Sequence, residues 1–292
     1  MSSDPMHLSE AELRSMTADL DAMHHDLALP ALTSSLAEWA ADIRDRAAGQ
    51  PGGGPARDAH LGRRRLLATA GGVAGAALLA ACGSSSSSST SSGAAAGSGA
   101  TSSASASMPP AASGSAAAGG GEGQNLSGDL QVVAMAASLE NSGVATYMAG
   151  IKAAQAGKLG TVPPAVVTFA QTAMSQHQDH QKAWNAVLTS AGKQPVTATD
   201  PVLQPTINSS LAKVTNVTGL AKLALLVENT AGETYQNGLS VIKSAAGIKT
   251  AASIQPVEFQ HAAILNFILG TYPVPAAFTG TSLARPPTDY QA

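Results

Sequence analysis

The chain has 292 residues, of which 44% are hydrophobic, 3% aromatic and 12% charged. Alanine supplies much of the apolar content and buries little area per residue, so the whole chain cannot be one densely packed domain. Alanine is also the best helix former, which predicts that the ordered part is helical. A net charge of −3 excludes a nucleic-acid binder, and a single cysteine excludes a disulfide framework or a multi-cysteine metal site.

Residues 1–61 predict an acidic helical segment. The first 62 residues hold ten acidic and four basic side chains. Ser9 and Glu12 have the spacing of a capping box, and apolar residues follow at helical intervals. Pro30 is expected to break this helix, with a second short helix after it. The sequence leaves open whether the segment is translated and retained, stays in the cytoplasm or is removed.

Residues 62–82 resemble an export signal. Three arginines precede 16 uncharged residues, a run shorter than the ~20 residues of a membrane span but suited to a signal peptide. Arg63 and Arg64 resemble the twin-arginine export motif, and Leu-Ala-Ala-Cys, ending at Cys82, resembles the bacterial lipobox. These resemblances imply an exported protein, anchored to the outer face of the cytoplasmic membrane through a lipid on Cys82. The alternative is an internal apolar helix with a chance cysteine.

The next segment, residues 83–125, consists almost entirely of Ser, Gly and Ala. Such a composition cannot bury enough surface to offset the entropy of ordering, so it predicts a disordered tether. A flexible chain of this length spans roughly 35–40 Å. Residues 126–275 are predicted to form the folded domain, and residues 276–292 a C-terminal tail.

Four long helices and one long connection are predicted in the domain. The short connections within each pair predict antiparallel hairpins, while the connection between the second and third helices is long enough to cross the bundle. The fold class is therefore predicted to be an all-α four-helix bundle with a long crossover. The predicted helices run over about 127–155, 163–190, 220–246 and 250–269.

A repeated motif marks the first and third helices. The pattern Glu-Asn-(Ser/Thr)-x-x-x-Thr-Tyr begins at Glu140 and again at Glu228, which predicts a duplicated helical hairpin. The following helix of each half carries two further metal-ligating side chains three residues apart, and this spacing places both on one face. The candidate metal ligands are Glu140, His177, His180, Glu228, Glu258 and His261.

The scarcity of charge in the domain supports this ligand set. Residues 126–292 contain three histidines and four glutamates, and of these Glu233 alone lies outside the set. Buried carboxylates without a cation are costly, so six such inward-facing groups predict a metal. Carboxylate di-metal bundles use one Glu from each of two helices and a Glu-x-x-His from each of the other two. This chain matches at five of the six positions, with His177 in place of a glutamate.

Over about residues 126–275, these motifs resemble the exported bacterial ferritin-like proteins. The resemblance implies a central two-metal site, usually iron or manganese, in a redox or oxygen- and peroxide-handling protein; zinc, or no metal at all, stays open. The alternative is a metal-free structural or stress-protection bundle at the cell surface. A storage cage is not expected of a tethered domain, whereas a homodimer is compatible with the fold.

The departure at His177 alters the expected site. Because an imidazole nitrogen binds a single metal, Glu258 alone remains as a bridge, and a looser, mixed or single-metal site is expected. Tyr147 and Tyr235 are candidates for residues that contact the metal ligands but not the metal, although core packing is the favoured role. The remaining neighbouring pair, His24 and His25, is predicted to lie at the surface.

Overall fold

The computed structural model describes residues 9–47, 126–276 and 278–290, and within these residues it is helical with no strand. This confirms the predicted all-α bundle. A π-helical turn, His24–Ala28, joins the first two helices, and a short 3-10 turn, Pro287–Asp289, lies near the C-terminus. The α-helices are α1 Glu10–Met23, α2 Leu29–Ala47, α3 Asp129–Gln155, α4 Pro164–Ser190, α5 Leu203–Leu211, α6 Val217–Val241 and α7 Ala245–Ile268.

Helices α3, α4, α6 and α7 form the bundle. The helices α3 and α4 pack as one hairpin, α6 and α7 pack as the other, and α3 lies against α6. The short helix α5 lies in the long connection that the sequence predicts between the hairpins. The backbones of α4 and α7 are farther apart than those of the other neighbouring pairs, and these two helices meet mainly through long side chains such as Phe169 and Leu265.

The turn between α6 and α7 comes earlier than predicted. Helix α6 ends at Val241, and α7 begins at Ala245 with Ser244 as its N-cap. The carboxylate of Asp129 accepts hydrogen bonds from the backbone N–H groups of Lys243 and Ser244, at 2.9 and 2.8 Å. These bonds satisfy donors that a helix end leaves unpaired, so they stabilise the turn at this position.

Helices α1 and α2 form one continuous helical run. The predicted capping box is present, since Ser9 and Glu12 each accept a backbone N–H of the other. The prediction that Pro30 breaks the helix is wrong. Directly before the proline, the Leu29 N–H bonds the carbonyl of His24, five residues back. The wider π turn accommodates the crowding that a proline ring causes, so the chain stays helical.

This N-terminal helical run packs on α4 and α7 and fills the space between them. At one end Leu20 packs with Phe169 and Leu265. At the other, Trp39 packs edge-on against Trp184, with ring centroids 6.3 Å apart. Burial of each such large side chain contributes roughly 1.5–3 kcal/mol, so these contacts hold the run firmly.

The signal and tether predicted at residues 62–82 and 83–125 lie outside the described residues. Arg63, Arg64 and Cys82 are therefore sequence predictions without a structural counterpart. Among the helices that are described, none has the length and apolar character needed to cross a bilayer.

Candidate metal centre

The six predicted ligands come together in the middle of the bundle. Each is at most 1% exposed, so none of the six lies on a solvated face. Their ligating atoms form two overlapping groups, and within each group all atoms lie within 4.8 Å of one another. The residues shared by both groups are His177 and Glu258. The first group adds Glu140 and His180, and the second adds Glu228 and His261.

His177 stands between the two halves of the centre. Its Nδ1 lies 2.7 Å from Glu140 Oε2, and its Nε2 lies 3.2 Å from Glu228 Oε1. Burial opposes its protonation, but the charges of Glu258 and Glu228 and the hydrogen bond to Glu140 raise the pKa of His177 well above its usual value. A protonated His177 donates to both halves and brings one positive charge among three carboxylates.

Glu258 and His180 carry buried atoms that have no aligned hydrogen bond among the described residues. Both carboxylate oxygens of Glu258 and Nδ1 of His180 are buried without a hydrogen bond to any described residue. His180 Nδ1 lies 3.0 Å from Glu258 Oε1, yet the pair is not aligned as a hydrogen bond. Burial, followed by the charge of Glu140, raises the pKa of Glu258 to about 8. Buried nitrogen and oxygen atoms that lack hydrogen bonds can coordinate a divalent cation such as iron, manganese or zinc.

Two tyrosines connect the two halves of the centre through hydrogen bonds to the glutamates. The Tyr147 hydroxyl donates to Glu228, and the Tyr235 hydroxyl donates to Glu140. Burial and the neighbouring carboxylates raise the pKa of both tyrosines well above the usual value, so they remain donors. The Trp184 indole N–H donates to the Tyr235 oxygen at 2.8 Å. The tyrosines are thus packed in the core, as favoured, and also orient the two glutamates.

Two residues that sequence reasoning missed shape the centre. Buried Gln176 places Oε1 2.8 Å from His261 Nε2, which leaves Nδ1 of that histidine facing Glu228 at 3.2 Å. At Gly143, an added Cβ would stand 2.9 Å from the His177 ring. The second copy of the repeat has Ala231 at the position of Gly143. Aligning the two halves could therefore have shown that the glycine makes room for the ring of His177. No comparable sequence signal identified Gln176.

His24 is a third missed residue, and its predicted surface location is wrong. It is 1% exposed, and its ring centroid lies 5.3 Å from that of His180. The neighbouring His25 is exposed, as predicted. Consecutive helical residues point in directions about 100° apart, so a helix packed on the bundle buries one and leaves the other in solvent.

Comparison with protein families gives one match. Residues 128–271 match the family model of the ferritin-like domain. This range contains both copies of the repeat and all six predicted ligands, and it lies within the predicted domain 126–275. Comparisons with curated proteins and with solved structures give no match. Helices α1 and α2 lie outside the matched range.

Proposed function

Because residues 128–271 match the family model of the ferritin-like domain, we propose that this protein binds one or two divalent metal ions and uses them to handle oxygen or peroxide. The observation that carries the proposal is the buried set of six ligating side chains, in which both oxygens of Glu258 and Nδ1 of His180 have no aligned hydrogen bond to a described residue. Leaving these groups unsatisfied costs folding free energy, and a cation offsets that cost.

Each side chain has a defined task in this proposal. Glu140 and His180 hold one ion, and Glu228 and His261 hold the other. Glu258 serves both positions, while His177 serves one. When bound, iron or manganese supplies the electrons exchanged with oxygen or peroxide.

The chain itself orients these ligands and limits access to them. The hydroxyls of Tyr147 and Tyr235 hold the carboxylates of Glu228 and Glu140. A mostly apolar cavity, lined by residues that include Phe169 and Leu265, adjoins Tyr147.

Metal content tests the proposal directly. The full chain, stripped with a chelator and reconstituted separately with Fe²⁺, Mn²⁺ and Zn²⁺, should retain one to two ions per chain by elemental mass spectrometry. The iron or manganese form should consume oxygen or hydrogen peroxide, and the zinc form should not, because zinc has no redox chemistry. Metal contents near zero for all three ions would refute the proposal.

A second candidate is a metal-free structural or stress-protection bundle. One observation favours it: His177 lies within hydrogen-bonding distance of both Glu140 and Glu228, so a proton on its ring can balance buried negative charge without a metal. The reconstitution experiment separates the two candidates, because the metal-free bundle retains no ion.

We further propose that the protein is exported and held at the membrane by a lipid on Cys82. The support comes from the paired twin-arginine and lipobox motifs alone. In its native host, the Cys82→Ser variant should lack the lipid by mass spectrometry and should leave the membrane fraction, whereas a Ser84→Ala control should stay lipidated. A Cys82→Ser protein that still carries lipid would refute the anchor.

A further inference from the structure

The side of the bundle between α4 and α7 is closed by a segment outside the ferritin-like domain. Four of the six ligands lie on these two helices, whose backbones are farther apart than those of the other neighbouring pairs of bundle helices. Helices α1 and α2 fill the opening and bury Leu20, Leu32 and Trp39 against it. Without this cover, defined as residues 9–47, the side carrying most of the ligands would face solvent.

The cover reaches the centre through His24. The His24 ring lies edge-on to the His180 ring, and both of its nitrogens are buried without a hydrogen bond to any described residue. Burying a polar imidazole without hydrogen bonds is unfavourable. Its position beside a candidate metal ligand offers a reason for the burial of His24. Metal-bound histidines generally use their second nitrogen to contact a fixed group that sets the ring orientation.

The internal repeat shows why such a group is needed at His180. In one half, His261 has its second nitrogen fixed by Gln176. The repeat places Val257 at the position equivalent to Gln176, and a valine offers no hydrogen bond. The domain therefore provides an outer partner for one ligating histidine and lacks the equivalent for the other. The cover brings His24 to the histidine that lacks one.

A second contact links the cover to the ligands. Trp39 packs on Trp184, which donates a hydrogen bond to Tyr235, and this tyrosine in turn donates to Glu140. The cover thus contacts the first ligand group directly at one point, His24 on His180, and is connected to Glu140 at a second, from Trp39 through Trp184 and Tyr235. Both points belong to the same half of the centre.

We propose that residues 9–47 are a detachable cover on the metal centre, and that His24 is a positioning residue for His180 through the packing of its ring against the His180 ring. The inference rests on the proposed function where it concerns the metal. The signal proposed at residues 62–82 lies between the cover and the domain. Cleavage before Cys82 would therefore cut the covalent link to the cover, and its packing on α4 and α7 alone would then hold it on the centre.

Histidine labelling of the metal-free full chain tests the cover. Two buried leucines are replaced together, Leu20→Glu and Leu32→Glu, to detach it, and Leu27→Glu is the matched control because Leu27 is 63% exposed on the same run. Modification of His177, His180 and His261 by diethyl pyrocarbonate should accelerate by about tenfold or more in the double variant only. His25, exposed throughout, should react equally in all proteins.

Hydrogen exchange on the same samples decides between the outcomes. Fast exchange confined to residues 10–47, together with labelled ligands, supports the cover. Fast exchange there with ligands still protected would overturn it. Fast exchange that extends through α3 and α6 would show that the bundle unfolds together with residues 9–47. Slow exchange of α1 and α2 in the double variant would show that these helices do not detach. Either result would make residues 9–47 an inseparable part of the fold and would overturn the cover.

The role of His24 is tested on the zinc-loaded full chain. His24→Gln should speed zinc loss to a chelator by about tenfold, whereas His25→Gln should match the wild type. The cobalt-loaded form should show a changed visible spectrum in His24→Gln alone, a signal that a purely structural contact would not move. Equal rates and spectra would refute the role. A wild type that binds no metal would refute the proposed function, while the labelling experiment would still decide the cover.

Discussion

Replacing Glu258 by alanine should abolish metal binding at both positions of the centre. Glu258 is the only carboxylate shared by the two ligand groups, and both of its oxygens are buried without an aligned hydrogen bond to a described residue. Its loss removes one ligand from each position and one of the three negative charges. Metal content after reconstitution should fall from one to two ions per chain to nearly zero, and the residual affinity should fall by about 100-fold or more.

Glu233→Ala is the matched control for this measurement. Glu233 belongs to the same domain but accepts a hydrogen bond from the Leu283 backbone N–H, in the C-terminal tail. Its replacement should leave the metal content unchanged. A Glu258→Ala protein that retains the wild-type metal content would show that Glu258 is not a ligand, and the two-position centre would have to be abandoned.

Raising the pH from 6.5 to 9 should destabilise the metal-free protein. Although burial opposes it, the charge of Glu140 raises the pKa of His180 to about 9, and burial together with Glu140 raises the pKa of Glu258 to about 8. The folded state thus holds protons that the unfolded chain has released, so stability falls as pH rises through these values. For His180 alone, a pKa raised from 6.5 to about 9 corresponds to about 3 kcal/mol.

The metal-loaded protein should respond in the opposite sense. Metal ions bind the deprotonated ligands, so binding releases protons and strengthens as pH rises. Urea unfolding at pH 6.5, 7.5 and 9, with chelator or with excess Zn²⁺, should show the two stabilities diverging. His180→Gln should flatten the slope of the metal-free protein. Metal-free stability that stays constant or increases between pH 6.5 and 9 would contradict the assigned proton positions.

Below pH 6.5 a different group governs the metal-free protein. Burial and the neighbouring His180 lower the pKa of His24 to about 4. A histidine whose folded pKa is lowered contributes stability above pH 6.5, and that contribution is lost as the pH falls toward 4. The metal-free stability should therefore be greatest near pH 6.5, between the two opposing effects.

Local sequence patterns predicted the helical bundle and the buried cluster of histidines and glutamates at its centre. The helical repeat places residues three apart on one face, so Glu258 and His261 could be paired without a structure, and the duplicated motif related Glu140 to Glu228. These relations depend on the geometry of a single helix or on internal repetition. The helix boundary near Ala245 was missed because it depends on Asp129, more than 100 residues away.

What the sequence alone determined is therefore the set of bundle helices and the chemistry of the groups they carry, because both follow from periodicity and composition. Only the tertiary structure decided that residues 9–47 cover the centre. It also decided that His24 is buried while His25 is exposed, and that Gln176 fixes His261. Each of these facts arises where side chains from separate helices pack together. A pattern along one helix shows which face is apolar, but not which distant surface will cover it.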